Sequence, residues 1–291
     1  MVPTIAARND ILPKMQSLID LLSNRRRNVN LDVAALEVAM IEYPEITPDP
    51  FVEILDSYAV ELSEKLTPHA DAEEFIEIAG GYMFDELGFC GNQEDYYNPR
   101  NSCLNEVVTA RVGNPISLAV VYIEIARRLA RPVHGIALPG HFFVKYDDGD
   151  FRAYVDVFHG GRIVNERECF DLASSIVSAP VNDPTYLAPV ENHQIVVRML
   201  NNLRAIYLRN RDYVKAFEVL SLLLEATPNS GDCFLQRGVV NIELRKFDQA
   251  KRDLQRYLTL EPTALDRGAV EQQIRVIDQW LSKRKVSEKY S

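Results

Sequence analysis

Cysteine is scarce in this chain. Its four copies, Cys90, Cys103, Cys169 and Cys233, lie far apart with no C-x-x-C pair among them. That spacing suits neither a zinc clamp nor a disulfide framework, and it predicts a reduced, cytoplasmic protein without a metal or other cofactor. Long apolar runs are missing too. None approaches the roughly 20 residues needed to cross a bilayer, and the opening M-V-P-T-I-A-A-R-N-D lacks the apolar stretch of a signal peptide. Positive charge is in deficit, with 32 Lys/Arg against 42 Asp/Glu. A nucleic-acid partner is therefore not expected, because phosphate neutralisation needs a basic surface.

What remains is ordinary for a globular protein with a buried core: 47% hydrophobic and 25% charged residues over 291 positions, enough for one large or two ordinary domains. The charge is uneven. Residues 1–190 hold 15 Lys/Arg against 29 Asp/Glu, whereas residues 191–291 hold 17 against 13. The two parts could attract one another, attract different partners, or be plain solvated surface.

From Asp10 to Phe84 apolar residues recur every three or four positions between proline-bearing breaks, which predicts helices. Residues 85–110 read as a long connection. At Arg111 the chain runs R-V-G-N-P-I-S-L-A-V-V-Y-I-E-I-A-R-R-L, a turn-forming GNP followed by an almost wholly apolar helix. Asn114 suits the N-cap of that helix and Pro115 its first position, where a missing N–H costs nothing. Next the period becomes two, in V-H-G-I-A-L, H-F-F-V-K-Y and F-R-A-Y-V-D-V-F, which predicts strands.

Asp148-Gly149 is a favoured two-residue hairpin turn. Centring the loop there sets His141 directly opposite Asp156 on one face of the sheet, close enough for imidazole and carboxylate to bond. Such a pair is the orienting half of a catalytic triad, and it is equally a structural cross-strand contact.

The segments Y-Y-N-P-R-N-S-C-L-N-E-V-V, R-V-G-N-P-I-S-L-A-V-V-Y and L-P-G-H-F-F-V, in that order, resemble the bacterial SirB family, which joins a transglutaminase-like (papain-like) core to tetratricopeptide repeats. The resemblance implies an α+β fold, with a nucleophilic Cys at the start of the buried helix and His and Asp on the strands that follow. Anchored on Ala119 and R-R-L-A-R-P, the Cys position falls on Pro115, while His141 and Asp156 match the other two. Proline carries no nucleophile. The electrostatic setting of a helix N-terminus is kept while the reactive atom is absent. Ser117, two residues on, is about 200° around the helix axis and is expected to point away from His141. Cys103 lies upstream in the connection.

The last hundred residues repeat. Leu200 matches Phe234, Tyr213 matches Phe247, Ala216 matches Ala250, Leu220 matches Leu254 and Pro228 matches Pro262, all at an offset of 34. That period, with the small Ala and the terminal Pro, is the tetratricopeptide signature. Domains are expected at 1–190 and 191–291, the latter with repeats near 197–230 and 231–264 and a capping helix at 265–285. By resemblance to known repeats, Leu235, Val239 and Ile242 line the inner face of the second one, where they either bind an apolar peptide or pack on the protein itself.

Weaker signals absorb nothing further. D-D-G-D fails as a calcium loop because its twelfth position is Phe158. His134, His159 and His193 lack metal-ligand spacing. Arg25-Arg26-Arg27 reads as a solvated loop, and Gly160-Gly161 as a turn. The expected role is non-catalytic protein or peptide binding through the repeats and a vestigial groove. The alternative is a hydrolase or acyltransferase using Ser117 or Cys103 with His141 and Asp156. Between them stands a groove that binds a small anion or peptide carboxylate at the helix N-terminus.

Overall fold

The computed structural model describes residues 14–23 and 29–289, with side chains up to residue 282. The Arg25-Arg26-Arg27 run lies outside the described residues. The chain forms two compact units, Met1–Asn202 and Leu203–Ser291.

The first unit opens with helices α1 (Gln16–Leu22), α2 (Leu31–Ala39), α3 (Asp49–Lys65) and α4 (Ala72–Gly80), the last continued by a wider π turn at Gly81–Glu86. The stretch read as a plain connection is partly structured. It holds a two-residue strand β1 (Cys90–Gly91), a 3-10 turn (Pro99–Ser102) and helix α5 (Leu104–Ala110). Seven residues are too few to display a helical period, which is why the sequence hid this helix. Strand β1 pairs in parallel with β2 (Val112–Gly113), immediately before the long apolar helix α6 (Pro115–Arg128).

Every residue of α6 from Pro115 to Ala126 is buried. The helix packs on α2 and α3 on one side and on strands β3 (Val133–Leu138) and β4 (His141–Asp147) on the other. A helix covered on all sides has no use for a polar face, and that explains the unbroken apolar run. The sheet is completed by β5 (Arg152–Asp156), β6 (Arg162–Val164) and β7 (Pro189–Val190), in the order β6-β5-β4-β3-β7 with every neighbour antiparallel. Helix α7 (Glu166–Val177) buries Cys169 and Ala173 against Ile136, Leu138, Phe143 and Tyr154 of the sheet.

The β4–β5 hairpin departs from the expected register. Val144 faces Val155 and Asp147 faces Arg152, so the loop is Asp148–Phe151 and not the two residues Asp148-Gly149. The Asp148 carboxylate accepts the N–H groups of Asp150 and Phe151 at 3.0 and 2.7 Å, which closes the wider turn. The slip moves the partner by two residues. Facing parity is therefore kept, and His141 and Asp156 become diagonal neighbours on one face rather than direct opposites.

The second unit is helical. After α8 (Asn192–Asn210), which begins in the first unit, come α9 (Tyr213–Ala226), α10 (Gly231–Glu243), α11 (Phe247–Leu260) and α12 (Arg267–Lys289). Ala216 and Ala250, matched by the 34-residue offset, are both fully buried. Leu235 and Ile242 pack half-buried against a cluster that includes Leu254, Val270 and Ile277, while Val239 is exposed. Among the described residues no helix is long and apolar enough to cross a membrane.

Candidate functional site

The start of α6 is held by an unusually complete polar network. Asn114 is the N-cap, and its side-chain oxygen accepts the N–H groups of Ile116 and Ser117, both at 2.9 Å. Ser117 Oγ accepts the Asn114 N–H at 3.0 Å and donates to the Asn101 carbonyl at 2.6 Å. Asn114 Nδ2 donates to Ser102 Oγ, and Asn101 Nδ2 donates to the carbonyls of Asp95 and Tyr96. Asn101, Ser102, Asn114 and Ser117 are all buried. The segment Y-Y-N-P-R-N-S thus pins the helix start and the Tyr96-Tyr97 loop to one another. Gly113 is required just before it, since a Cβ there would meet Ser117 Oγ at 2.7 Å.

Two consequences follow. Ser117, offered as a substitute nucleophile, is fully buried, its hydroxyl engaged with Asn101, and it does not line the cleft described below. The first amide N–H groups of α6 are consumed by Asn114, so the helix start offers little to an outside anion.

His141 begins β4 and Asp156 ends β5, and their contact is made: His141 Nε2 lies 3.0 Å from Asp156 Oδ1. Both are nearly fully buried. The carboxylate carries more than that. Asp156 caps the 3-10 turn Val157–His159, accepting the N–H groups of Phe158 and His159, and its Oδ2 lies 2.7 Å from His159 Nδ1. One carboxylate therefore selects the tautomer of two imidazoles, Nε2–H on His141 and Nδ1–H on His159. The rings are stacked, with centroids 5.6 Å apart. Burial pushes the Asp156 carboxyl up, but its bonds to His141 and His159 outweigh this, and it is held below the usual carboxylate range.

His159, which the sequence set aside for want of metal-ligand spacing, is brought by the turn into this cluster. The donor atoms of His141, Asp156 and His159 all lie within 4.8 Å of one another. Two imidazoles and a carboxylate are a donor set that divalent transition metals accept. The three groups also satisfy one another by hydrogen bonds, so the cluster is complete as it stands.

His141 opens onto a cleft of about 480 Å³. One wall is the Tyr96-Tyr97 loop with the helix start, Pro115 and Ile116. Another is the Pro139-Gly140 turn between β3 and β4, where Gly140 takes φ 75°. Phe142 beside the histidine, Ile176 of α7 and Arg198, Asn201 and Asn202 of α8 complete the lining. Cys103 lies elsewhere: it is fully buried as the N-cap of α5, its thiol 3.4 Å from the Pro99 carbonyl. The residue that sequence reasoning missed is Arg198. Its Nη2 donates to the carbonyls of Leu138 and His141, which ties α8 to the turn that carries the histidine. No local pattern announces an arginine on a helix as part of a groove made by strands some 60 residues earlier.

An apolar helix laid on an antiparallel sheet, with His and Asp on adjacent strands beside the helix start, defines a class. The chain belongs to the transglutaminase-like superfamily, matched by residues 50–201, and residues 203–275 match the tetratricopeptide repeat. It is similar to a UPF0162 protein of Xylella fastidiosa (strain 9a5c), 34% identical over 79% of this chain and 83% of the relative. A UPF0162 protein of Vibrio cholerae is 26% identical over 64% of this chain and 68% of its own length. The F-box only protein 21 of Homo sapiens is 30% identical over 54% of this chain but only 26% of the longer relative. Among solved structures, menin overlaps 84% of this chain and 70% of its own at 12% identity and a TM-score of 0.39, a likeness too slight to carry an argument.

Proposed function

We propose that this protein is a non-catalytic member of the SirB group of transglutaminase-like proteins, working in the cytoplasm as a protein-interaction module. The repeat tail supplies one binding element and the cleft beside His141, kept as a recognition surface, supplies the other. The architecture is compatible with such a role, since tetratricopeptide repeats generally mediate protein–protein contacts.

The observation that supports the reading most is chemical. Among the described residues, the cleft that His141 faces has no Cys, Ser, Thr or Lys in its lining, and Pro115 occupies the helix start. A general base is useful only with a proton to remove within hydrogen-bond reach. The rival reading, a hydrolase or acyltransferase, has the His141–Asp156 contact in its favour and would have to recruit Ser117 or Cys103.

One experiment separates them. The full chain is treated with thiol- and hydroxyl-directed acyl and epoxide probes and with amide and ester substrates, beside His141→Ala and Pro115→Cys variants. The expected result is no turnover and no His141-dependent labelling of the native chain, with a reactive thiol of depressed pKa gained in Pro115→Cys. Labelling at Ser117 or Cys103 that disappears in His141→Ala overturns the non-catalytic reading.

A further inference from the structure

We infer that the cleft beside His141 receives the α-carboxylate of a peptide chain end, with Arg198 as its anchor and the last side chain seated on Tyr96, Tyr97 and Ile176. This rests on the reading of the cleft as a recognition surface and gives that surface its ligand.

Three observations carry the argument. The first is a charge without a counter-charge. Arg198 is half-buried, and among the described residues no carboxylate lies within ion-pair distance of it. Its Nη2 is spent on two backbone carbonyls, while Nε and Nη1 make no hydrogen bond to the described residues. Burial pushes this guanidinium below its usual range, and the one influence opposing that push is Tyr96, not an acid. A partly desolvated cation kept without a partner is costly unless something supplies the anion.

The second is the sign of the cleft. In a chain of net charge −10, the lining among the described residues holds no Asp or Glu, while it does hold Arg198 and the amides of Asn201 and Asn202. One guanidinium matches the single charge and planar fork of a carboxylate. A phosphate would want the α6 amides, and Asn114 has taken those.

The third is the apolar shelf beside the charge. Tyr97, Ile176 and Tyr96 are 56, 46 and 38% exposed, high for such side chains, and all three line the same cleft. A chain end carries its carboxylate and its last side chain on one carbon, so both can be met at once. Recognition of terminal carboxylates is an established mode of peptide binding.

The test uses the full-length protein and four defined probes: an N-acetylated alanine-rich hexapeptide ending in leucine as the free acid, its C-terminal amide, the amide with an internal glutamate, and N-acetyl-leucine. Binding is read by calorimetry, with the peptides recovered and weighed by mass spectrometry. The free acid should bind at least ~10-fold more tightly than either amide or the single acetylated residue. Arg198→Lys and Asn202→Asp should each remove most of that preference, and the second touches neither carbonyl that Arg198 holds. Equal binding of acid and amide, or none of either, overturns the inference. Tightest binding of the internal-glutamate amide, or equal affinity for N-acetyl-leucine, overturns its assignment to a chain end. A cleaved or transferred peptide instead sinks the non-catalytic reading, whatever the affinities.

Discussion

Two arginines of the first unit are treated in opposite ways. Arg128, at the end of α6, meets three carboxylates: Asp32 at 2.6 Å, Glu124 at 2.7 Å and Asp56 at 2.5 Å. Asp32 and Glu124 are themselves buried, so the cluster is a closed electrostatic unit joining α6 to α2 and α3. Arg198 meets two carbonyls and a cleft. The first arrangement is what a fold needs from a cation it must bury. The second leaves binding capacity unused, which supports the recognition role proposed for the cleft.

The largest effect expected from breaking this contrast lies at Arg128. Arg128→Met takes the close cation from buried Asp32, leaving it Arg127 at 3.9 Å, and one of two cations from buried Glu124, which should cost about 3 kcal/mol in urea unfolding. The second unit offers an intermediate case. Arg237 grips Asp253 with two bonds of 2.9 and 2.8 Å, and Asn241 adds a third at 3.0 Å. Arg237 keeps some exposure, so Asp253→Ala lets it turn to water, and about 1–3 kcal/mol should be lost. Arg198→Met removes two carbonyl contacts and also an unpaired, partly desolvated charge. The opposing effects should leave it within about 1 kcal/mol of the native protein. If Arg198→Met proved as damaging as Arg128→Met, Arg198 would be a structural cation and the contrast would fail.

The sequence made these two arginines look alike. Arg128 ends an apolar run, where a cation suits a helix C-terminus whatever its partners. Arg198 sits on a helix read as the start of the repeats, where a charged side chain is normally solvated. Telling them apart requires knowing which element packs over which, and that is set by tertiary contact. The His141–Asp156 contact was legible because facing parity survives a two-residue slip in register. The loop length was not, because the Asp148 side chain closes a four-residue turn that the Asp-Gly pair does not announce. His159 was missed for a related reason. Its place beside Asp156 comes from a 3-10 turn that the Asp156 carboxylate itself caps.

The smallest effect concerns pH, and here the two regions should respond with opposite sign. Burial drives the Glu124 carboxyl above its ordinary value even though Arg127 and Arg128 pull it down. A carboxyl raised in the folded state contributes most below its unfolded value near 4.3 and loses that contribution as pH rises through the folded one. Asp156 is held low. Its contribution is complete above its unfolded value near 3.9 and is lost as pH falls through the depressed one. Unfolding free energies measured from about pH 3 to pH 7 should therefore separate the pair. Asp156→Asn should flatten the acid limb below about pH 4, and Glu124→Gln should flatten any fall above it. A native acid limb unchanged by Asp156→Asn would mean that His141 and His159 do not hold that carboxylate ionised, and the ordered imidazole facing the cleft would lose its support.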